Sequence, residues 1–248
     1  MGTLDGKSIV VTGASRGIGA AISNRLLAEG ALVVAGCRSE PSVGGVTWVP
    51  TDVTDSLAVD ALMASAMDLN GGLDALVANA GVQVEGTIAE TSESDYDCVM
   101  DVNVRGVFLC CRSAVRHMRK HGGGAIVNVG SVAGETADHG FAIYNASKGA
   151  VHALTRAIAV DHGRDGVRCN AVCPGWITTQ MADAAFQQAD DPEARRAESA
   201  ARHPVGRLGS PDDVAGMVAW LVSDDAAFVS GSMFTVDGGL TAQSPIGG

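Results

Sequence analysis

Short apolar runs alternate with helical patterns along most of the chain. The runs are rich in Val, Ala, Leu and Ile, and most are followed by a segment whose apolar residues recur at helical spacing. The runs predict strands at 8–13, 31–37, 46–50, 73–79, 125–131, 167–174 and 233–239. The intervening patterns predict helices at 17–29, 56–69, about 95–120, 142–163 and 211–222.

Near-continuous apolar strands separated by helices are typical of a parallel sheet that is buried on both faces. The pattern therefore predicts an α/β fold, with a single Rossmann-type doubly wound parallel sheet of about seven strands and helices on both faces. We expect one domain over residues 1–248. The segment 180–207 fits least well, because it is polar, Ala-rich and interrupted by Pro192. We interpret it as a mobile insertion with one or two short helices, a candidate substrate lid.

Charge and cysteine usage exclude several classes of partner. The net charge of −11 comes without a basic stretch, which argues against nucleic acid and anionic membranes as partners. No apolar run is long enough to predict a membrane span. The six cysteines form no C-x-x-C pair, which favours free thiols in a reducing compartment, the cytoplasm, over a zinc site. His117 and His121 lack a third ligand nearby, so no metal is predicted.

A glycine-rich turn, TGASRGIG at 12–19, joins the first predicted strand to the first predicted helix. Gly13, Gly17 and Gly19 allow backbone angles that other residues resist and let a pyrophosphate approach closely. The start of the helix then directs free N–H groups and its positive dipole end at the anion. The turn therefore predicts a dinucleotide site, and the alternative is a tight turn that binds nothing.

The end of the second predicted strand bears on the choice of cofactor. Enzymes that prefer NAD usually place an acid there, whereas this chain has Cys37 and Arg38 and no acid before Glu40. Arg38, joined by Arg16 of the glycine-rich turn, could bind a ribose 2′-phosphate. We therefore expect NADP(H), with NAD(H) as the alternative if Arg38 is only a solvated charge or stacks on adenine.

Tyr144 precedes Lys148 by four residues on a predicted helix. That spacing places both side chains on one helix face, about 5–6 Å apart at Cβ. An ammonium beside a phenol favours the phenolate and lowers the tyrosine pKa, which suits general acid–base chemistry. Such a pair taken alone is more often part of a helix surface, so the spacing supports a catalytic role only together with other motifs.

The motifs of the chain, taken together, resemble those of one family. TGASRGIG (12–19), DV (52–53), NAG (79–81), NVRG (103–106), GSVAG (130–134), YNASK (144–148) and PGWITT (174–179) occur in this order over nearly the whole length. The chain is thereby identified as a member of the short-chain dehydrogenase/reductase family, of the compact kind. The resemblance implies an NAD(P)-dependent oxidoreductase that acts on CH–OH donors, moving a hydride between the nicotinamide and a ketone or secondary alcohol.

The resemblance also implies a role for particular residues. Tyr144 would be the general acid/base, Lys148 its electrostatic partner and a ribose ligand, Ser131 the group that orients the substrate oxygen, and Asn103 the anchor of a proton-carrying water. The implied cofactor-binding residues are Gly13, Ser15, Arg16, Gly17, Ile18, Gly19, Arg38, Asp52, Val53, Asn79, Ala80, Gly81, Tyr144, Lys148, Pro174, Gly175, Ile177 and Thr179. The implied substrate residues are Ser131, Val132, His139, Phe141, Tyr144 and Trp176.

The substrate and the assembly are less closely specified. The substrate residues predict an apolar pocket of moderate size for a small carbonyl compound or alcohol. A 3-oxoacyl-(acyl-carrier-protein) reductase is an alternative, but Asp165 offsets the nearby basic residues and an acidic carrier would be repelled by a net charge of −11. An NAD-dependent alcohol or diol dehydrogenase and a dinucleotide-sensing scaffold are further alternatives. The resemblance implies a homotetramer in which the two long helices pair across a two-fold axis.

Overall fold

Seven parallel strands form one sheet in the computed structural model, which describes residues 2–244 apart from the side chain of Asn70. The strands are β1 (Ser8–Thr12), β2 (Leu32–Cys37), β3 (Thr47–Pro50), β4 (Ala75–Ala78), β5 (Gly124–Val129), β6 (Val167–Pro174) and β7 (Met233–Val236). The α-helices are α1 (Gly17–Ala28), α2 (Ser56–Asn70), α3 (Glu93–Met100), α4 (Val107–Met118), α5 (Ala142–His162), α6 (Gln180–Phe186), α7 (Pro192–Ala201) and α8 (Pro211–Val222).

The strand order is β3-β2-β1-β4-β5-β6-β7, and every neighbouring pair is parallel. From β1, the next two strands along the chain, β2 and β3, extend the sheet toward one edge. The chain then crosses back, and β4 pairs with the other side of β1. In such a doubly wound sheet, the crevice for a ligand lies at the carboxyl ends of the strands where the order reverses, here β1 and β4. This fold confirms the α/β prediction.

Successive residues of each strand point to opposite faces of the sheet, and both faces are covered. Ile9 and Val11 of β1 belong to the core under α1 and α8, whereas Val10 belongs to the core under α2, α4 and α5. All three side chains are completely buried. Burial on both faces explains why the strands are continuous apolar runs instead of alternating apolar and polar residues.

The observed strands at the reversal end earlier than the apolar runs predicted. Gly13 and Asn79 come directly after β1 and β4, and Ser131 comes two residues after β5, so all three lie outside the sheet at the carboxyl ends of these strands. The long helix predicted over about 95–120 is present. The helical stretch begins at Glu93, ends at Met118, and contains a π-helical turn at Asp101–Gly106.

The segment after β6 contains two short helices that lie beside the crevice. Thr179 caps α6, its hydroxyl accepting a hydrogen bond from the Ala182 N–H at 3.3 Å, and Asp191 caps α7 in the same way through Ala194. Phe186, at the end of α6, is 2% exposed and packs on Trp176. No helix within residues 2–244 combines the length and the apolar character that a membrane crossing requires.

Candidate active site

The glycine-rich turn between β1 and α1 is built to receive an anion. Helix α1 begins at Gly17, and its N-cap residue Arg16 makes no capping side-chain hydrogen bond within the described part of the chain. The Arg16 guanidinium instead donates to Gln180 Oε1 at 2.7 Å. The first turn contains no acidic residue. The free N–H groups and the positive dipole end of α1 therefore remain available to a phosphate.

Close packing between this turn and the residues after β4 requires glycine. Gly13 has a φ of +66°, and a Cβ on it would lie 2.8 Å from the Ala80 Cα. A Cβ on Gly19 would overlap the Gly13 carbonyl group. Thr12 joins the two segments, because its Oγ1 accepts hydrogen bonds from the Asn79 and Ala80 N–H groups at 3.0 and 3.1 Å. Thr12 belongs to the glycine-rich motif, but the sequence alone gives no sign of this linking role.

The segment 174–179 lies across the same turn. A Cβ on Gly17 would lie 3.4 Å from Thr179 Cγ2, so these two predicted cofactor residues are neighbours. Gly175 donates its N–H to the Val236 carbonyl at 3.1 Å, and Ile177 is buried and pairs with Gly209. The segment is thus fixed on the sheet at one end and against the glycine-rich turn at the other. The glycine backbone and the free N–H groups at the start of α1 suit the phosphate groups of a dinucleotide.

Arg38 is exposed directly after β2 and lies near Asp52. Hydrogen bonds from the Thr54 N–H and hydroxyl, at 2.9 and 2.8 Å, lower the pKa of Asp52, and the charge of Arg38 lowers it further. The Asp52 carboxylate is therefore partly satisfied by Thr54, while the Arg38 guanidinium faces solvent. Val53 is buried, and a Cβ on Gly106 would lie 2.8 Å from its Cγ2.

Three of the four predicted catalytic side chains meet at the carboxyl ends of β5 and β6. Lys148 is only 6% exposed, and its Nζ donates to the Val129 carbonyl at 2.8 Å. The same Nζ lies 5.5 Å from the centroid of the Tyr144 ring, one helical turn earlier on α5. The Tyr144 side chain lies near Ser131, which comes two residues after β5, and this neighbour lowers its pKa.

The structure opposes the predicted direction of the Tyr144 pKa shift. Burial raises the pKa of Tyr144 to about 12, Ser131 lowers it, and Asp138 raises it further. Burial likewise lowers the pKa of Lys148 to about 8, with a small opposing effect of Cys173. Both charged forms are disfavoured because the pocket removes them from water. The net shift of the Tyr144 pKa is therefore opposite to the expected one, because burial outweighs any lowering by Lys148.

Asn103 lies within the π-helical turn and is 1% exposed. Its Oδ1 accepts from the Val82 N–H at 2.8 Å, and its Nδ2 donates to the Val82 carbonyl at 2.8 Å and to Ser147 Oγ at 3.1 Å. Ser147 Oγ in turn donates to the Tyr144 carbonyl at 2.7 Å. The side chain is therefore engaged in linking the loop after Gly81 to α5. π-helical turns of this kind occur frequently at functional sites.

The predicted substrate residues occupy different environments. Phe141 and Trp176 pack edge to face with centroids 6.1 Å apart, and Trp176 stacks on Phe186 at 5.0 Å. Val132 is buried under the turn after Ser131, whereas His139 is exposed. Sequence reasoning missed Phe186, because its partners lie ten or more residues away and the lid segment has no pattern that singles it out. The aromatic group provides an apolar wall joined to the lid.

The site can be compared with known proteins. A family profile described as "Enoyl-(Acyl carrier protein) reductase" matches residues 13–241. The chain is 41% identical over 247 residues to a meso-2,3-butanediol dehydrogenase of Serratia marcescens, covering 96% of each chain. It is 42% identical over 244 residues to a cis-4-hydroxycyclohexanecarboxylate dehydrogenase of Sinomonas cyclohexanicum, covering 94% of this chain and 96% of that protein.

A solved structure shares the fold over nearly the full length. The ligand-free aldohexose dehydrogenase of Thermoplasma acidophilum superposes with a TM-score of 0.93 at 34% identity, covering 98% of this chain and 97% of that one. The proteins in these comparisons are named as dehydrogenases of hydroxyl-bearing substrates. The span matched by the family profile, residues 13–241, includes both the glycine-rich turn from Gly13 onward and the residues around Tyr144.

Proposed function

The chain belongs to the short-chain dehydrogenase/reductase family, and from that premise we propose that it interconverts a small ketone and the secondary alcohol, with Tyr144 as the general acid/base. It is an NAD(P)-dependent enzyme acting on CH–OH groups. One observation carries the assignment to Tyr144. Its side chain lies near Ser131, which lowers its pKa, and beside the buried ammonium of Lys148, at the end of the sheet where the glycine-rich turn lies.

Three of the predicted catalytic residues divide the proton chemistry of a carbonyl reduction. A bound nicotinamide supplies or accepts the hydride, so the protein handles the proton and the developing negative charge. Tyr144, with its pKa raised to about 12, holds its proton at neutral pH and can donate it to the alkoxide. Ser131 orients the substrate oxygen toward that hydroxyl. Lys148, with a pKa of about 8, is still cationic at neutral pH and stabilises the phenolate that remains.

The surroundings of Tyr144 support a small, largely apolar substrate. Phe141, Trp176 and Phe186 form a continuous aromatic wall, and an apolar wall with few polar groups is typical of small-molecule sites. The relatives named for a vicinal diol and for a hydroxylated cyclohexane ring agree with that character. We propose that helices α6 and α7 act as the substrate lid, since Phe186 connects them to Trp176.

A carrier-bound acyl substrate is less well supported. Arg168, one of the basic residues available to an acidic carrier, is directed inward, and its guanidinium donates to the carbonyls of Leu221 and Ser223 at 2.9 and 3.1 Å. Asp165 is bonded to His162 at 2.8 Å and paired with Arg119 at 3.4 Å, which leaves that surface mixed in charge. A protein with a net charge of −11 would repel an acidic carrier.

A substrate panel tests this proposal. The purified enzyme is assayed with a vicinal diol and its hydroxyketone, a substituted cyclohexanol, a 3-hydroxysteroid and a 3-oxoacyl thioester, each with both nicotinamide cofactors. We expect the highest kcat/KM for a small diol or cyclic alcohol. Turnover confined to the thioester would replace the proposal with the acyl reductase, and cofactor binding without any turnover would favour the dinucleotide-sensing scaffold.

We propose that NADP(H) is the preferred cofactor. Arg38 is exposed directly after β2, while the carboxylate of Asp52 is partly satisfied by Thr54. A planar guanidinium at this place can pair with a 2′-phosphate. Arg38→Ala should lower kcat/KM for NADP(H) about tenfold or more, as expected for a lost charged hydrogen bond, and leave the value for NAD(H) nearly unchanged. Arg25→Ala, which removes a guanidinium paired with Glu29, is the control. A wild-type preference for NAD(H) contradicts the proposal.

We further propose a homotetramer located in the cytoplasm. A shallow groove of about 420 Å³ on the long helices is lined by the apolar residues Met100, Val104, Phe108 and Leu154 together with Asp101 and Arg105, and Phe108 is 44% exposed. Apolar surface of this kind supports association between copies of the chain. All six cysteines are free thiols and five are buried, which supports a reducing compartment. Light scattering after size exclusion measures the assembly, and a monomer would contradict it.

A further inference from the structure

A buried histidine–cysteine pair lies behind the turn that carries Ser131, and the chemistry proposed above does not use it. His152 is on α5, one turn beyond Lys148, and is 2% exposed. Its Nε2 lies 3.2 Å from the Sγ of Cys173, the β6 residue before Pro174. Burying two polar side chains requires hydrogen bonds that compensate for lost water, so the arrangement of their protons can be worked out.

The imidazole of His152 is enclosed by the turn itself. Gly130 and Gly134 flank Ser131 in the GSVAG motif. A Cβ on Gly130 would lie 2.6 Å from His152 Nε2, and a Cβ on Gly134 would lie 2.7 Å from Nδ1. The backbone on both sides of Ser131 thus rests directly on the two nitrogen edges of the ring. Any movement of the ring must move the turn, or leave a cavity beneath it.

The hydrogen bonds lead from the turn to Cys173 and then to His152. Cys173 Sγ accepts from the backbone N–H of Ser131, and burial raises the pKa of the Cys173 thiol to about 12, so the thiol keeps its proton. Nε2 of His152 is within reach of that proton at 3.2 Å. A thiol donating to Nε2 requires this nitrogen to be the acceptor of a neutral imidazole.

The surroundings of the second ring nitrogen, Nδ1, indicate the same tautomer of His152. Nδ1 of His152 is buried without a hydrogen-bond partner among the described residues, and the group facing it is the Glu135 carboxylate at 3.9 Å. A carboxylate can only accept, which favours a proton on Nδ1. Burial lowers the pKa of His152, and Lys148 and Arg156 lower it further against the opposing effect of Glu135. The ring is therefore neutral at neutral pH.

We propose that His152 is a positioning residue for Ser131: as the neutral Nδ1–H tautomer it accepts a hydrogen bond from the Cys173 thiol, and the pair fixes the 130–134 turn so that the Ser131 hydroxyl faces Tyr144. The inference rests on the proposed function, because Ser131 matters as the group that orients the substrate oxygen. His152, one helical turn after Lys148 on the same face of α5, would thus position Ser131 and take no part in proton transfer.

Two substitutions at His152 separate positioning from simple packing. His152→Gln keeps an acceptor that can reach the position of Nε2, whereas His152→Leu keeps much of the volume and removes the acceptor. We expect His152→Leu to lower kcat by about 10- to 100-fold, since a misplacement of about 1 Å at a reacting group can cost about 10²-fold. The kcat of His152→Gln should stay within about threefold of wild type. Both variants should keep the wild-type Kd for the dinucleotide. The same titration counts the binding sites, so that kcat is expressed per folded site.

A buried residue one turn further along α5 provides the matched control. Thr155 Oγ1 accepts from Asn128 at 2.9 Å and donates to the Val151 carbonyl at 2.8 Å, so it does not contact the 130–134 turn through these bonds. Thr155→Val should lower the Tm and leave kcat unchanged. A His152→Leu enzyme with wild-type kcat, or a His152→Gln enzyme as slow as His152→Leu, contradicts the proposal.

A measurement on the wild-type protein covers the case in which His152→Leu does not fold. Long-range ¹H–¹⁵N spectra of ¹⁵N-histidine-labelled enzyme report which ring nitrogen is protonated, and the His152 signals are those missing from His152→Gln. We expect a protonated Nδ1 and an unprotonated Nε2 at about pH 7. Active enzyme with a proton on Nε2 contradicts this inference alone. Wild-type protein that turns over no substrate contradicts the proposed function, and this inference with it.

Discussion

The burial of Lys148 makes a quantitative prediction about stability. Burial lowers the pKa of its ammonium from 10.5 to about 8, and the side chain is 6% exposed, so solvent screens the effect little. Each pKa unit corresponds to about 1.4 kcal/mol, so carrying the charge inside the folded protein costs about 3 kcal/mol near neutral pH. Lys148→Met removes the charge, and with it this cost, while it also removes the donor to the Val129 carbonyl at 2.8 Å.

The dependence on pH separates these two effects, because the lost hydrogen bond contributes nearly equally at every pH. Below about pH 8 the lysine is charged in both the folded and the unfolded wild-type chain, and the full cost is present. Between about pH 8 and 10.5 the folded state releases the proton while the unfolded state keeps it, so the cost disappears as the pH rises. The wild type should therefore gain about 3 kcal/mol in unfolding free energy relative to Lys148→Met across that range.

Denaturant unfolding of both proteins at about pH 7, 8, 9 and 10 measures this difference. The experiment is done without dinucleotide and at one protein concentration, because ligand and assembly shift apparent stability. Tyr144, with a pKa of about 12, stays protonated in the folded state across this range and does not interfere. Parallel stability curves for the two proteins would refute the argument, since they would mean that the ammonium remains hydrated in the folded state.

Two further substitutions test the cofactor cradle and the lid. Gly19→Ala brings a methyl group into collision with the Gly13 carbonyl of the glycine-rich turn and should raise the dinucleotide Kd at least about tenfold. Gly44→Ala is the control, because a Cβ there meets no atom within 4 Å, and it should leave the Kd unchanged. Phe186→Ala removes the stacking on Trp176 and should lower the unfolding free energy by about 3 kcal/mol and raise the substrate KM, with the dinucleotide Kd preserved. Phe228→Ala, at a fully exposed ring, is the matched control, and an equal rise in KM there would contradict the lid assignment.

Much of the fold follows from the sequence because strands buried on both faces must be apolar throughout. The runs around Val10, Val34 and Leu76 are therefore recognisable without any alignment, and the glycine-rich turn marks which end of the sheet forms the crevice. The strand ends were less predictable. Gly13, Asn79 and Ser131 come so soon after apolar runs that the sequence includes them in the predicted strands, although each lies outside the sheet, in the site.

The features that sequence reasoning missed depend on distant partners. The π-helical turn around Asn103 lies in a segment whose sequence pattern predicts only an ordinary helix. The Asn103 side chain is held by hydrogen bonds to Val82 and Ser147, which belong to other parts of the chain. The direction of the Tyr144 pKa shift depends on how completely the pocket is enclosed, and spacing along one helix does not report this. The contact of His152 with Cys173 likewise joins a helix to a strand 21 residues away.

The most direct test is a comparison of turnover and dinucleotide affinity in one preparation of Tyr144→Phe. The substitution removes only the phenolic oxygen, so the glycine-rich turn and the Lys148 side chain retain their surroundings. Turnover should fall by about 10²- to 10⁴-fold, the contribution typical of a general acid/base, while the dinucleotide Kd stays within about twofold of wild type. A variant that keeps wild-type turnover would contradict the assignment of Tyr144 and the mechanism built on it.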